Sequence, residues 1–237
     1  MQGKMYPETK TWNPFLGCLY DCVYCGPSFK KVLKWISRRN QCEGCRDYIN
    51  HEHPERLKTT RIPSAKTVFV FGQGDISFCE PGYVRKTFRV IKNHRPRIRK
   101  EYYFQSKNPG CLEQYIGEYP FNSIMVTTLE TNRDEGYGMV SRAPVPSVRF
   151  RDFLGLDYPR KVVTIEPVMD FDLDEFLGWM LMLKDQGSLE YVWFGYNSNP
   201  DKVQLPEPWV EKSQEFVDLL KAEGVEVRGK SLREVVV

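Results

Sequence analysis

A chain of 237 residues with 34 Lys or Arg against 31 Asp or Glu carries a net charge of +3, which does not by itself demand a polyanionic partner. A hydrophobic share of 41% can fill one large core, and no apolar run approaches the roughly 18 residues of a membrane span, so the expectation is a soluble single domain over residues 1–237. The first residues, Met1 to Pro7, hold no apolar signal region. Seven cysteines, odd in number and clustered, fit a reducing, cytoplasmic setting better than a disulfide scaffold.

In chain order, a weak strand ends near Thr11 to Pro14 and runs into the loop Cys18-Leu-Tyr-Asp-Cys22-Val-Tyr-Cys25. Three thiolates at x3 and x2 spacing can bind three irons of a 4Fe-4S cubane and leave the fourth iron without a protein ligand. The competing reading is a structural zinc with a fourth ligand from elsewhere. Zinc ligands usually come as knuckles of two, so the spacing favours the cluster. A helix is predicted over Ser28 to Arg39. Cys42-Glu-Gly-Cys45 follows, with His51 and His53 close behind, inside a candidate metal-binding insertion at 40–60. Three readings of Cys42 and Cys45 stand open: zinc, an auxiliary iron–sulfur cluster joined by Cys79 and Cys111, or a reduced pair beside a surface histidine loop.

From there the chain alternates short β-branched or aromatic runs with amphipathic stretches, the pattern of β/α units around a parallel sheet. Strands are expected at Thr67 to Phe71, Glu101 to Gln105, Ser123 to Thr128, Lys161 to Ile165 and Tyr191 to Phe194, and a short terminal one at Val225 to Arg228. Helices are expected at Gly82 to His94, Leu112 to Tyr119, after Pro144 and Pro146 in the stretch Arg142 to Asp157, at Asp174 to Gln186, and at Pro208 to Glu223. Each strong strand is followed at once by polar or glycine residues: Gly72-Gln73-Gly74-Asp75, Ser106-Lys107, Glu130-Thr131-Asn132, Glu166-Pro167 and Gly195-Tyr196-Asn197-Ser198-Asn199. Gathered at one mouth opposite a cluster, these groups make a pocket suited to a zwitterionic nucleoside.

The cysteine loop resembles the signature of radical S-adenosylmethionine (SAM) enzymes, and Tyr24, just before the last cysteine, stands where such enzymes lay an aromatic against the adenine. The layout is similar to a small radical-SAM-like family often encoded by phages, on four features: Thr11-Trp12-Asn13-Pro14, Asp75, Lys107 and Thr164-Ile165-Glu166-Pro167. The likeness runs from Thr11 to about Gly224 and is most distinctive in the first twenty-five residues. It implies an α/β fold, a partial (β/α)6 TIM-like barrel with the cluster loop after the first strand. It also implies a 4Fe-4S cluster on Cys18, Cys22 and Cys25, with SAM on the open iron. Cleavage of SAM to methionine and a 5′-deoxyadenosyl radical would follow, by an electron from a flavodoxin or ferredoxin. Hydrogen abstraction from a substrate that no residue names would complete the reaction. Gly72, Gly74 and Asp75 would stand where many relatives carry Gly-Gly-Glu against the methionine ammonium, from which Gln73 and the shorter acid depart. Glu130 and Asn132 would meet ribose or substrate, Glu166 either of them, and Lys107 and Asn197 complete the expected contacts.

Arg85 to Lys100 holds eight Lys or Arg among sixteen residues, and Tyr102, Tyr103 and Phe104 come next. Such a face could track phosphates and stack bases, so a nucleic acid or nucleotide is a candidate substrate. The apolar stripe Val84, Phe88, Ile91 also makes it the solvated side of a helix. The alternative function is a non-enzymatic zinc-binding module that holds nucleic acid.

Overall fold

The structure, a computed structural model, describes residues 9–25, 35 and 42–229. The helix expected at Ser28 to Arg39 lies outside the described residues. Seven strands form one parallel sheet, curled and open: β1 (Thr9–Trp12), β4 (Thr67–Val70), β5 (Glu101–Gln105), β6 (Ser123–Thr128), β7 (Lys161–Ile165), β8 (Leu189–Phe194) and β9 (Val227–Gly229), neighbouring one another in that order. The two remaining strands, β2 (Phe15–Leu16) and β3 (His51–Glu52), pair antiparallel beside the sheet, with Leu16 opposite His51. Sequence periodicity cannot reveal strands of two residues, so this hairpin is new.

Every residue of β6 and β7 is buried, as expected of strands covered on both faces. Their side chains divide by alternation. Val68, Val70, Tyr102, Phe104, Met125, Val163, Ile165, Val192 and Phe194 join the large core under the helices. Phe69, Tyr103, Ile124, Val126, Val162, Tyr191 and Trp193 form a separate cluster on the concave side. There the Tyr103 and Tyr191 hydroxyls meet at 2.8 Å, closing an apolar floor under the strand ends.

The helices cover the convex face. Helix α1 (Glu43–Asp47) is short, and α2 (Pro81–Asn93) starts on Pro81 because the Glu80 carboxylate accepts from the amides of Gly82 and Tyr83, both at 2.8 Å. It buries Val84, Phe88 and Ile91, the expected stripe. The expected helix at Leu112 to Tyr119 is instead a 3-10 helix, Pro109–Tyr115. Its buried residues Pro109, Leu112 and Tyr115 recur every third position, the period of the tighter helix, and Gly117 at φ +81° ends the segment. Helix α3 (Pro146–Gly155) begins on its second proline. Helix α4 (Leu173–Asp185) matches expectation within a residue. Helix α5 (Val210–Ala222) starts two residues late, since Pro206 to Trp209 run extended with the Pro206 carbonyl taking the Asp170 amide. Among the described residues, no helix is long and apolar enough to cross a membrane.

Candidate functional site

The cysteine loop is fastened at its base by backbone contacts. Gly17 donates to the Gln73 carbonyl and accepts from the Asp75 amide, each at 3.2 Å, and forms a bridge with Gly74. A Cβ on Gly74 would sit 2.8 Å from the Gly17 oxygen, and Gly17 itself lies at φ +115°, so the spacing of these glycines is dictated by chain approach. Asn13 clasps Gln73 with both ends of its amide, at 2.9 and 3.0 Å. The Trp12 indole donates to the Arg56 carbonyl, and the Pro14 carbonyl accepts from the His53 amide and the Tyr83 hydroxyl. The Trp-Asn-Pro lead-in therefore ties β1, the β4 end and the 51–56 segment together.

Along the loop Cys18 is half-buried, Cys22 buried and Cys25 exposed. Backbone bonds from Val23 to Val140 and from Arg142 to Tyr20 pin it to the 140–142 segment, which sets the Ser141 hydroxyl 3.1 Å from Cys22 Sγ. Lys107 Nζ donates to the same sulfur at 3.4 Å. The Cys22 thiol is held down to about 6 by its bond to Cys25, with Lys107 and Ser141 adding to it, while burial and Asp75 push Cys18 up to about 12. The same Cys22–Cys25 bond raises Cys25, so of the three thiols Cys22 is the one whose thiolate the loop favours.

Above the loop, Lys107 Nζ, the Tyr24 hydroxyl and Glu130 Oε1 are mutually hydrogen-bonded, and the Lys107 ammonium lies 4.5 Å from the Tyr24 ring centre. Glu130 Oε2 accepts from Arg149 at 2.9 Å and from the Tyr137 hydroxyl at 3.2 Å. Glu130 and Arg149 are fully buried. Burial alone would raise Glu130, but Arg149 and Lys107 outweigh it and hold the carboxyl at about 2. In turn burial pushes Lys107 down, and Glu130, Tyr137 and Cys22 together more than reverse this, so the ammonium stays charged. The mouth of the half-barrel thus holds a charged, hydrogen-bonded cluster next to the cysteines.

The structure brings Cys18, Cys22, Cys25, Tyr24, Lys107 and Glu130 together. The other expected residues are engaged in bonds within the protein. The buried Asp75 carboxylate accepts from Ser77 N and Oγ, Ser106 Oγ and the Lys107 amide, at 2.7 to 3.0 Å, and so braces the β4 and β5 ends. A Cβ on Gly72 would press 2.7 Å from Thr11. Asn132 exchanges bonds with the Asp172 backbone and donates to Glu175 at 2.8 Å, fixing the start of α4. Asn197 spans its own loop, donating to the Val203 carbonyl and accepting from the Asn199 amide. Glu166 accepts from the Trp193 indole at 2.6 Å, on the concave side. Ser141, Tyr137 and Arg149 were missed in the sequence, for they stand outside the strand-end runs and only the fold turns them inward.

The second cysteine pair closes on itself. Cys42, Cys45, His51 and His53 offer ligand atoms that all lie within 4.8 Å of one another, and among the described residues no other trio of such groups does. Cys79 and Cys111, admitted above as further ligands for this pair, are packed instead with the main core. The basic stretch is also partly inward: Lys100 is buried and donates to the Pro63 and Ala65 carbonyls, and Tyr102, Tyr103 and Phe104 are core residues, which removes them from base stacking.

No protein-family model matches the chain, and no curated protein does. Solved structures match over nearly all of it. A radical SAM methyltransferase from Sphaerobacter thermophilus superposes on 95% of this chain and 67% of its own, at 14% identity and a TM-score of 0.59. At that identity the likeness bears on architecture alone: this chain has an α/β partial-barrel fold, and its own cysteine loop follows β1.

Proposed function

We propose that this protein is a radical SAM enzyme, with the cluster on Cys18, Cys22 and Cys25 and SAM in the mouth of the half-barrel. The carrying observation is the position of the three-cysteine loop, fastened at the strand ends and beside the charged trio of Tyr24, Lys107 and Glu130. The donor set fits a cluster: three free thiols, not gathered tightly enough to share one ion, on a loop with an exposed end. When bound, the cluster supplies one electron, drawn from a flavodoxin or ferredoxin, that divides SAM into methionine and a 5′-deoxyadenosyl radical. The protein's part is to bind, orient and exclude water. Lys107 offsets thiolate charge at Cys22 and presents a cation to a carboxylate, Glu130, whose oxygens are taken by Lys107, Tyr24, Arg149 and Tyr137, positions them, and Tyr24 offers a ring face to the adenine. Glu166 stands on the concave side with the Trp193 indole, the backbone of Gly72 to Asp75 fastens the cysteine loop, and Asn132 and Asn197 hold the rim loops in place. The aromatic floor of Phe69, Tyr103, Tyr191 and Trp193 shields the site from below. Free cysteines throughout are in keeping with a cytoplasmic setting.

The test is anaerobic reconstitution with iron and sulfide, then dithionite and SAM, with 5′-deoxyadenosine as the product read. Brown, sulfide-containing protein that releases 5′-deoxyadenosine is expected. SAM cleavage by a folded Cys22→Ala variant, or a colourless wild type, overturns the proposal.

A further inference from the structure

We infer that Cys42, Cys45, His51 and His53 form a closed tetrahedral site for one zinc ion, independent of the cluster loop. Cys42 is the N-cap of α1, and its sulfur accepts the Cys45 amide at 3.4 Å, the local turn that aims two sulfurs one way. His51 and His53 lie two residues apart on extended chain and therefore share a face. The approaches are Cys42 Sγ to His51 Nε2 3.4 Å, Cys45 Sγ to His51 Nε2 3.4 Å, Cys45 Sγ to His53 Nε2 3.1 Å, and Nε2 to Nε2 2.8 Å. Zinc–nitrogen and zinc–sulfur bonds at tetrahedral angles give edges of about 3.3–3.8 Å, so the cage is already near its filled size.

The imidazole orientations carry the argument further. His51 Nδ1 lies 2.7 Å from the Ile49 carbonyl and His53 Nδ1 lies 2.7 Å from a Glu55 carboxylate oxygen. Both partners only accept, so each Nδ1 bears a proton on the outer side and each ring turns its Nε2 inward. Two ring nitrogens 2.8 Å apart beside two sulfurs converge as donors on one point, the geometry of a shared ion. An outer acceptor on each ring is the arrangement that orients metal-bound histidines. Two thiolates and two neutral imidazoles cancel the charge of a divalent ion, and the Arg56 guanidinium, 4.0 Å from Cys45 Sγ, adds a donor to sulfur. An S2N2 tetrahedron selects zinc among common ions. An auxiliary cubane is disfavoured because its thiolates must spread around four irons, whereas these four atoms converge on a point. A cleft of about 770 Å³, lined in part by Cys42, His53 and Arg56, gives the ion a way in.

The test is metal analysis of full-length protein from zinc-replete cells, for wild type, the Cys18→Ala/Cys22→Ala/Cys25→Ala triple variant, and His53→Ala. One zinc per chain is expected in the first two and none in the third, and cobalt exchanged into wild type should show the intense visible bands of a tetrahedral dithiolate. Should His53→Ala fail to fold, Glu55→Gln keeps all four ligands and is expected to weaken zinc 10- to 100-fold in chelator competition. Wild type without zinc, iron and sulfide retained by the triple variant, or unaltered affinity in Glu55→Gln overturns the inference. Because the triple variant cannot hold the catalytic cluster, failure of this site and failure of the enzymatic reading give different results.

Discussion

Two cysteine groups stand within one small region of this protein, and they differ in closure. Cys42 and Cys45 meet two histidines in a cage whose ligand atoms all lie within 4.8 Å, whereas Cys18, Cys22 and Cys25 are strung along a loop from half-buried to exposed with no fourth ligand joining them among the described residues. The first arrangement uses up the coordination of one ion and suits a structural role. The second leaves room for an exogenous ligand and lies beside the charged mouth of the barrel. The β2–β3 hairpin couples the two, since Leu16 pairs with His51 and the next residues, Gly17 and Cys18, enter the loop. In the reading proposed above, chemistry and its scaffold are built from the same residue type, told apart by what completes the coordination.

The sharpest break of the comparison is Cys22→Ala, which should abolish cluster colour and 5′-deoxyadenosine formation while zinc content is unchanged; anaerobic iron, sulfide and zinc analysis reads all three. The reciprocal change, His53→Ala, should remove zinc, lower Tm by about 5–10 °C in a calorimeter, and reduce iron uptake on reconstitution several-fold through the hairpin. An equal iron uptake would show that the hairpin does not couple the sites.

Glu130→Gln leaves Lys107 and Arg149 buried without their anion and should cost about 3 kcal/mol by urea unfolding. The pH dependence has a definite sign. A carboxyl held at about 2 in the fold, against an ordinary value of 4.5, contributes stability that is fully present above 4.5 and is lost as pH falls toward 2. Wild type should therefore lose about 3 kcal/mol across that window, and Glu130→Gln should show a flatter profile there. Smallest of all, Tyr24→Phe keeps the ring and removes one hydroxyl, so SAM affinity of the reconstituted protein should fall about fivefold by calorimetric titration.

Much of this layout was legible along the chain. The strand runs were found because buried parallel strands are continuous in β-branched and aromatic residues, and α2 because its apolar stripe and proline start survive packing. The segment at Leu112 to Tyr119 was read as an α-helix because an i, i+3 pattern is shared by α- and 3-10 helices, and tertiary packing of Tyr115 and Tyr119 around Phe88 favours the tighter one. Asn132 and Asn197 look alike as strand-end amides in the sequence, but in the fold their hydrogen bonds run to loop backbone and the α4 start.

The sequence by itself determined the parallel β/α order and singled out the cysteine loop as the candidate site, because periodicity and ligand spacing are local properties. Only the tertiary structure decided that both nearby histidines converge with the second cysteine pair, that Cys79 and Cys111 belong to the core, and that Arg149, Tyr137 and Ser141 reach the candidate site. Those assignments rest on contacts between residues far apart in the chain or on the orientation of a side chain, and neither is encoded in spacing.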